Sequence, residues 1–129
     1  EPARVARVAA VLEKHLGLRL SDQDIYVNVS GGIRLAEPGV DLALAAALYS
    51  ARTGLALPAG LALAGEVSLS GEVRAVRRMA GRARAARAMG FSRVVGPHES
   101  GSTDSRDWER VSTVGATVRG LFGAEAAKD

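Results

Sequence analysis

The sequence predicts an α/β fold, a sandwich of helices around one mixed sheet, and three observations lead there. Segments with apolar residues at helical spacing alternate with short β-branched runs. The alternation is broken once, where two strand-like runs meet across Ser70-Gly71 as a tight hairpin. The length of 129 residues suffices for one domain with a real core and is too small for two ordinary ones, so residues 1–129 read as a single unit with a frayed tail over 123–129.

Pro2 to Leu16 reads as the first helix, because Val5, Val8, Ala9, Leu12 and Leu16 share a face and Gly17 is a natural C-terminal stop. In "DIYVNVS", Ile25, Val27 and Val29 alternate with Tyr26, Asn28 and Ser30, the period of a half-buried strand that Gly31 and Gly32 end. Pro38 and Gly39 punctuate a loop. Val40 to Thr53 is so rich in Leu and Ala that it is expected as a largely buried helix, closed by Gly54 and packed against a sheet. In "LALAGEVSLSGEVRAV", Val67 and Leu69 are expected to face Val73 and Ala75. Met79 to Met89 follows as a helix with Met79, Ala83, Ala86 and Met89 on one side, stopped by Gly90. "SRVVGP" reads as a buried strand, "HESGSTDSRD" as a polar loop, "WERVSTV" as a last strand and "ATVRGLF" as a short last helix.

An apolar share of 47% with 24% charged residues is ordinary for a globular chain, and no window approaches the apolar run a membrane span needs. No membrane partner is expected. The start, without Met or a signal-peptide pattern, reads as a domain cut from a longer protein. The lack of Cys excludes disulfides, Cys-based zinc sites and a thiol nucleophile, which fits the cytoplasm. The net charge of +3 hides an asymmetry: from Val73 to Pro97 there are Arg74, Arg77, Arg78, Arg82, Arg84, Arg87 and Arg93 and no acid. Lys14 and Lys128 are the only lysines, so lysine chemistry has two candidates.

Ordinary catalytic routes find little support. His15 and His98 are the only histidines, and neither has a second ligand three or four residues away, so a zinc or iron site is not expected. Glu37 and Asp41 could share a metal or a proton. The favoured alternative has Asp41 stabilising the positive end of the helix dipole and Glu37 pairing with Arg34. No phosphate-binding glycine loop follows a strand. Ser30 or Ser50 with His15 or His98 is a formal nucleophile pair that no spacing favours.

The order of strand, Gly-rich loop, "EPGVDLALAAALYS", "LALAGEVSLSGEVRAV" and helix before "RVVGP" resembles the proteolytic domain of the Lon family. That resemblance implies a two-layer sandwich of the ribosomal protein S5 domain 2 type, with a mixed sheet and a β-hairpin. It also implies a Ser-Lys dyad, and a gapless match puts its two positions at Gly39 and Arg82. Both are degenerate. Glycine offers no nucleophile, and a guanidinium, effectively always protonated, cannot take a proton from a hydroxyl as a desolvated amine can.

The pattern "GG...R..EP..DLA" within "VSGGIRLAEPGVDLALAAALYSARTG" resembles more specifically the C-terminal Lon-like domain of the RadA (Sms) family of RecA-related DNA repair ATPases, from about Asp24 to Pro97 and more weakly to Phe122. Relatives commonly carry Ala where this chain has Gly39. The resemblance implies a non-proteolytic module for homologous recombination and branch migration that assembles a homo-hexamer and binds single-stranded or branched DNA without sequence specificity. It implies an upstream RecA-like domain as partner, with ATP/Mg and zinc only in upstream domains and no cofactor here.

Arg34, Arg74, Arg77, Arg78, Arg84 and Arg87 are the candidate DNA-binding residues. With no acid nearby in sequence they favour a phosphate-facing surface, and helical spacing puts Arg77, Arg84 and Arg87 on one side with Arg78 and Arg82 on another, nearer the old dyad. The rival reading for Arg34 is holding Glu37; for the others it is solvating the helix or pairing with acids of the same or a neighbouring subunit. No aromatic interleaves with these arginines, so contact with DNA would be backbone-directed and salt-sensitive. A purely structural oligomerisation scaffold and a residual serine peptidase are the competing functions.

Overall fold

The computed structural model describes residues 2–28, 37–99 and 107–123. Helix α1 spans Pro2–Leu16 and buries Val8, Val11 and Leu12. A 3-10 turn, Pro38–Val40, leads into α2, Asp41–Thr53, which Gly54 ends in the left-handed conformation (φ 78°). Strand β1 (Leu61–Leu63) precedes the hairpin of β2 (Glu66–Val67) and β3 (Val73–Arg74). Helix α3 is Met79–Ala88, β4 is Arg93–Gly96, β5 is Glu109–Arg110 and α4 is Val114–Phe122.

The expected α/β class holds, with parallel and antiparallel pairings both present; among the described residues they fall in two ladders. β1, β4 and β5 run parallel in the order β1-β4-β5, with Ala62 beside Val94 and Val95 beside Glu109. β2 and β3 pair antiparallel, Val67 beside Val73. The layering differs from expectation. Adjacent residues of a strand face opposite sides, and Val95 joins the larger core of α1, α2 and α4 while Val94 joins Met79, Ala83 and Trp108 under α3. Helices therefore cover both faces of the parallel sheet, where a two-layer sandwich was expected.

Three local expectations change. The described part of the proposed strand, residues 24–28, joins no ladder, and Tyr26 is 90% exposed. Alternation marks which side chains suit a sheet face, but a strand exists only through hydrogen bonds to a neighbour, and here only Ile25 packs on the core. Residues 29 and 30 lie outside the described residues. The hairpin closes earlier than the Ser70-Gly71 turn: Ser68 N–H donates to the Glu72 carbonyl, Gly71 N–H donates to the Ser68 carbonyl and Gly71 has φ 85°. That is a three-residue loop ending in a left-handed glycine, so Leu69 projects into solvent and Ala75 is unpaired. The last strand shortens to two residues because Trp108 turns into the core and the Thr113 hydroxyl caps α4 by accepting from Ala116 N–H.

Close packing under α3 depends on Gly96. A Cβ there would lie 2.5 Å from Met79 Cε and 2.8 Å from its sulfur. Met79 is fully buried and has nowhere to go. Gly96→Ala is expected to lower stability by about 1–3 kcal/mol in urea denaturation, the cost of overpacking.

Candidate nucleic-acid interface

The loop entering α2 carries a side chain that closes on itself. Glu37 Oε1 accepts from Gly39 N–H at 2.9 Å, capping the 3-10 turn, while Oε2 accepts from Arg82 Nη2 at 2.8 Å. Arg82 Nε in turn donates to the Arg77 carbonyl at 2.8 Å. The two positions matched to a dyad thus stand against each other across the fold, for a Cβ on Gly39 would lie 2.9 Å from Arg82 Nη1. No hydroxyl or amine stands at either of these two positions; the arginine is tied to a carboxylate and a carbonyl. The expected Glu37–Arg34 pair lies outside the described residues at Arg34, and Glu37 pairs with Arg82.

The Gly39 N–H and then the Arg82 guanidinium hold the Glu37 carboxyl below its ordinary value. A carboxylate whose folded value is depressed contributes stability above its unfolded value and loses it as pH falls through the folded one. The stability difference between the native chain and Glu37→Gln should therefore be constant at neutral pH and shrink below the ordinary glutamate range, as read by urea melts at a series of pH values.

Asp41 plays a larger part than a helix-dipole partner. It is completely buried, and its carboxylate accepts from Arg4 Nη1 at 2.7 Å, from Arg7 Nη2 at 3.1 Å and from Val67 N–H at 3.1 Å. One side chain joins α1, α2 and β2. The sequence signal was present: Arg4 and Arg7 interrupt the apolar stripe of α1, and Asp41 opens a helix whose other buried residues are leucine, alanine and Tyr49.

The arginines between 73 and 97 divide by what they touch. The stretch itself holds no acid, and acids distant in sequence reach two of them, as the rival reading of pairing within the subunit allowed. Arg93 Nε and Nη2 donate to both Glu109 oxygens, at 2.7 and 3.0 Å, and Arg82 holds Glu37. Arg87 Nε and Nη2 donate to the Asp107 carbonyl at 3.1 and 3.0 Å, so its guanidinium is spent fixing the chain before Trp108. Arg74 approaches Glu72 only to 3.9 Å, with both side chains about three-fifths exposed. Arg77, Arg78 and Arg84 are exposed and make no side-chain hydrogen bond or ion pair among the described residues. Arg77 and Arg78 immediately precede α3 and Arg84 lies in its middle, its Nη2 and Arg78 Cβ both within 4 Å of where a Cβ on Gly81 would stand; the N-cap residue Arg78 has φ 57°. A non-glycine residue in that conformation costs roughly 1–2 kcal/mol, and it turns the Arg77-Arg78 pair outward ahead of the helix. Met89, expected on the inner side of α3, is 77% exposed: at 3.6 residues per turn it lies roughly a third of a turn round from the buried Ala83.

Among the described residues no three His, Asp or Glu side chains approach as a metal site would require, and no helix is long and apolar enough to cross a membrane.

The family described as subunit ChlI of Mg-chelatase matches residues 3–100. Among curated relatives, "DNA repair protein RadA" of Treponema pallidum is 60% identical over 97 residues, 75% of this chain and 21% of the relative. That of Brucella abortus is 47% identical over 98 residues, 76% of this chain and 21% of the relative. That of Mycobacterium tuberculosis strain H37Rv is 42% identical over 118 residues, 91% of this chain and 25% of the relative. The chain spans about a fifth to a quarter of the length of the relatives it matches.

Proposed function

Since the chain belongs to the family described as subunit ChlI of Mg-chelatase and is similar over most of its length to DNA repair proteins RadA, we propose that it is the Lon-like C-terminal domain of such a protein, a DNA-binding and ring-forming module of a DNA repair and recombination ATPase, without catalysis of its own. The observation that carries this reading is the outward cluster of Arg77, Arg78 and Arg84, three guanidinium groups that the described residues leave without acceptors. Guanidinium forks match phosphate oxygens, and a surface of them attracts a polyanion at long range. With no aromatic beside them, they would hold the backbone of single-stranded or branched DNA irrespective of sequence.

In this reading the Gly39–Arg82 contact is a degenerate dyad kept as structure, with Glu37 neutralising the arginine that replaced the base. A homo-hexameric ring would multiply the arginine cluster around one DNA path, and an upstream RecA-like domain holding ATP/Mg, with a zinc motif before it, would drive branch migration in the cytoplasm. The second reading, a scaffold without DNA contact, draws on Met89 and Phe91, apolar side chains exposed just beyond the same helix and suited to a neighbouring subunit. The third, a residual serine peptidase, would need a nucleophile from outside the Gly39 position.

Fluorescence anisotropy of labelled single- and double-stranded DNA across a salt series separates the first two. If each guanidinium meets a phosphate, the Arg77→Ala/Arg78→Ala/Arg84→Ala variant should flatten the slope of log affinity against log salt by about 2–3. No binding by the native chain at low salt would leave the scaffold.

A further inference from the structure

Outside that cluster, a cleft of about 470 Å³ opens between α1 and the β2–β3 hairpin, lined by Arg7, Glu66, Ser68, Ser70 and Arg74 together with the apolar Val67 and Leu69. Its cations carry more donors than the fold provides acceptors. Arg7 gives Nη2 to Asp41, and its buried Nε has no partner. Such an orphan donor is rare in a folded chain and asks for an acceptor. Arg74, at 3.9 Å from Glu72, lies beyond hydrogen-bond reach of it.

Hydroxyls complete the set. Ser68 Oγ accepts from Glu72 N–H at 3.1 Å and shares a hydrogen bond of 2.9 Å with Ser70 Oγ. When Ser68 donates in that pair, the Ser70 proton is free to point into the cleft. The wall is also stiff. The hairpin loop closes on its own carbonyls, His15 Nε2 meets the Leu69 carbonyl at 3.0 Å, and Val67 N–H is anchored on Asp41. Donors held in place before a ligand arrives lose little freedom on binding it. Carboxylates oppose an anion here: Glu66, the ladder partner of Arg74, lines the same cleft, Glu72 stands 3.9 Å from Arg74, and Asp41 already holds Arg7 Nη2.

We propose that this cleft is an oxyanion site that receives a phosphate group between Arg7 and Arg74, with the Ser70 hydroxyl as a third donor and Glu66 keeping the affinity low. This goes beyond the exposed cluster of α3 and does not depend on it. The phosphate could belong to a nucleic-acid backbone, since Arg74 lies only three residues before Arg77, or to a small phosphate-bearing molecule.

Amide-resolved NMR titrations of the 129-residue chain test it, with inorganic phosphate and with an oligothymidylate at constant ionic strength. Phosphate should move the amides of Ser68, Ser70 and Arg74, while chloride should not. Glu66→Gln should tighten phosphate binding about two- to fivefold, the scale of an exposed charge interaction, and Ser70→Glu should weaken it as much or more. If the oligonucleotide moves the same amides, in the native chain and in the Arg77/Arg78/Arg84 variant alike, the phosphate is that of a nucleic-acid backbone. If only inorganic phosphate does, the site serves a small molecule and stands even where DNA binding fails. No shift with either probe, an equal shift with chloride, or weaker phosphate binding by Glu66→Gln overturns the site.

Discussion

Asp41→Ala should lower stability by about 3–5 kcal/mol, the cost of breaking a buried ion pair from one side. The carboxylate is fully buried, the Arg4 side chain is only 10% exposed, and both Arg4 and Arg7 would be left facing a hole. The loss extends beyond charge, because Val67 N–H gives its hydrogen bond to the same oxygen that takes Arg7. Urea denaturation followed by circular dichroism measures the effect. A cycle with Arg4→Ala should show strong coupling, since the double variant removes both members of the 2.7 Å pair. A loss under about 1 kcal/mol, typical of exposed pairs, would mean that water reaches the Asp41 site.

Trp108→Ala should cost about 3–5 kcal/mol, the range for truncating a large buried aromatic. Trp108 is 2% exposed, packs with Met79, Ala83 and Val94 beneath α3, and donates from Nε1 to the Pro97 carbonyl at 2.9 Å. Arg110 lies over its ring at 4.2 Å. Trp108→Phe keeps most of the apolar area and leaves the Pro97 carbonyl unpaired, so it should cost about 1–3 kcal/mol. The chain has one tryptophan, so its fluorescence reports on this smaller core alone in the native protein. That signal and circular dichroism should change together in urea if the two cores unfold as one unit; separate transitions would show that α3 and its core open first.

Helices were the most legible feature, because a helix makes its hydrogen bonds within itself and shows its buried face as a local period. Pro2–Leu16 forms as its spacing predicts, and α2 and α3 differ from expectation by a residue at one end. Strands were less legible. The run at 24–28 has the alternation of a strand and no ladder, while Leu61–Leu63, at the head of the strand-like run that begins there, pairs with β4, which local pattern could not name as its neighbour. The candidate interface was half legible. The arginine-rich, acid-free run is visible in the chain, but its division into Arg82 on Glu37, Arg87 on the Asp107 carbonyl and the outward Arg77, Arg78 and Arg84 is not.

By itself the sequence determined the α/β class, the places of the four helices, the family, and the absence of a nucleophile and of a basic amine at Gly39 and Arg82, for these depend on residue identity and local spacing. Only the tertiary structure decided that Gly39 and Arg82 meet, that Asp41 gathers two arginines of α1, that helices cover both sheet faces, and which guanidinium groups remain unpaired. Residues 34 to 45 apart in the chain have no local period to announce their contact. Whether an arginine is held or free depends on which carboxylates and carbonyls the folded chain brings within about 3 Å of it.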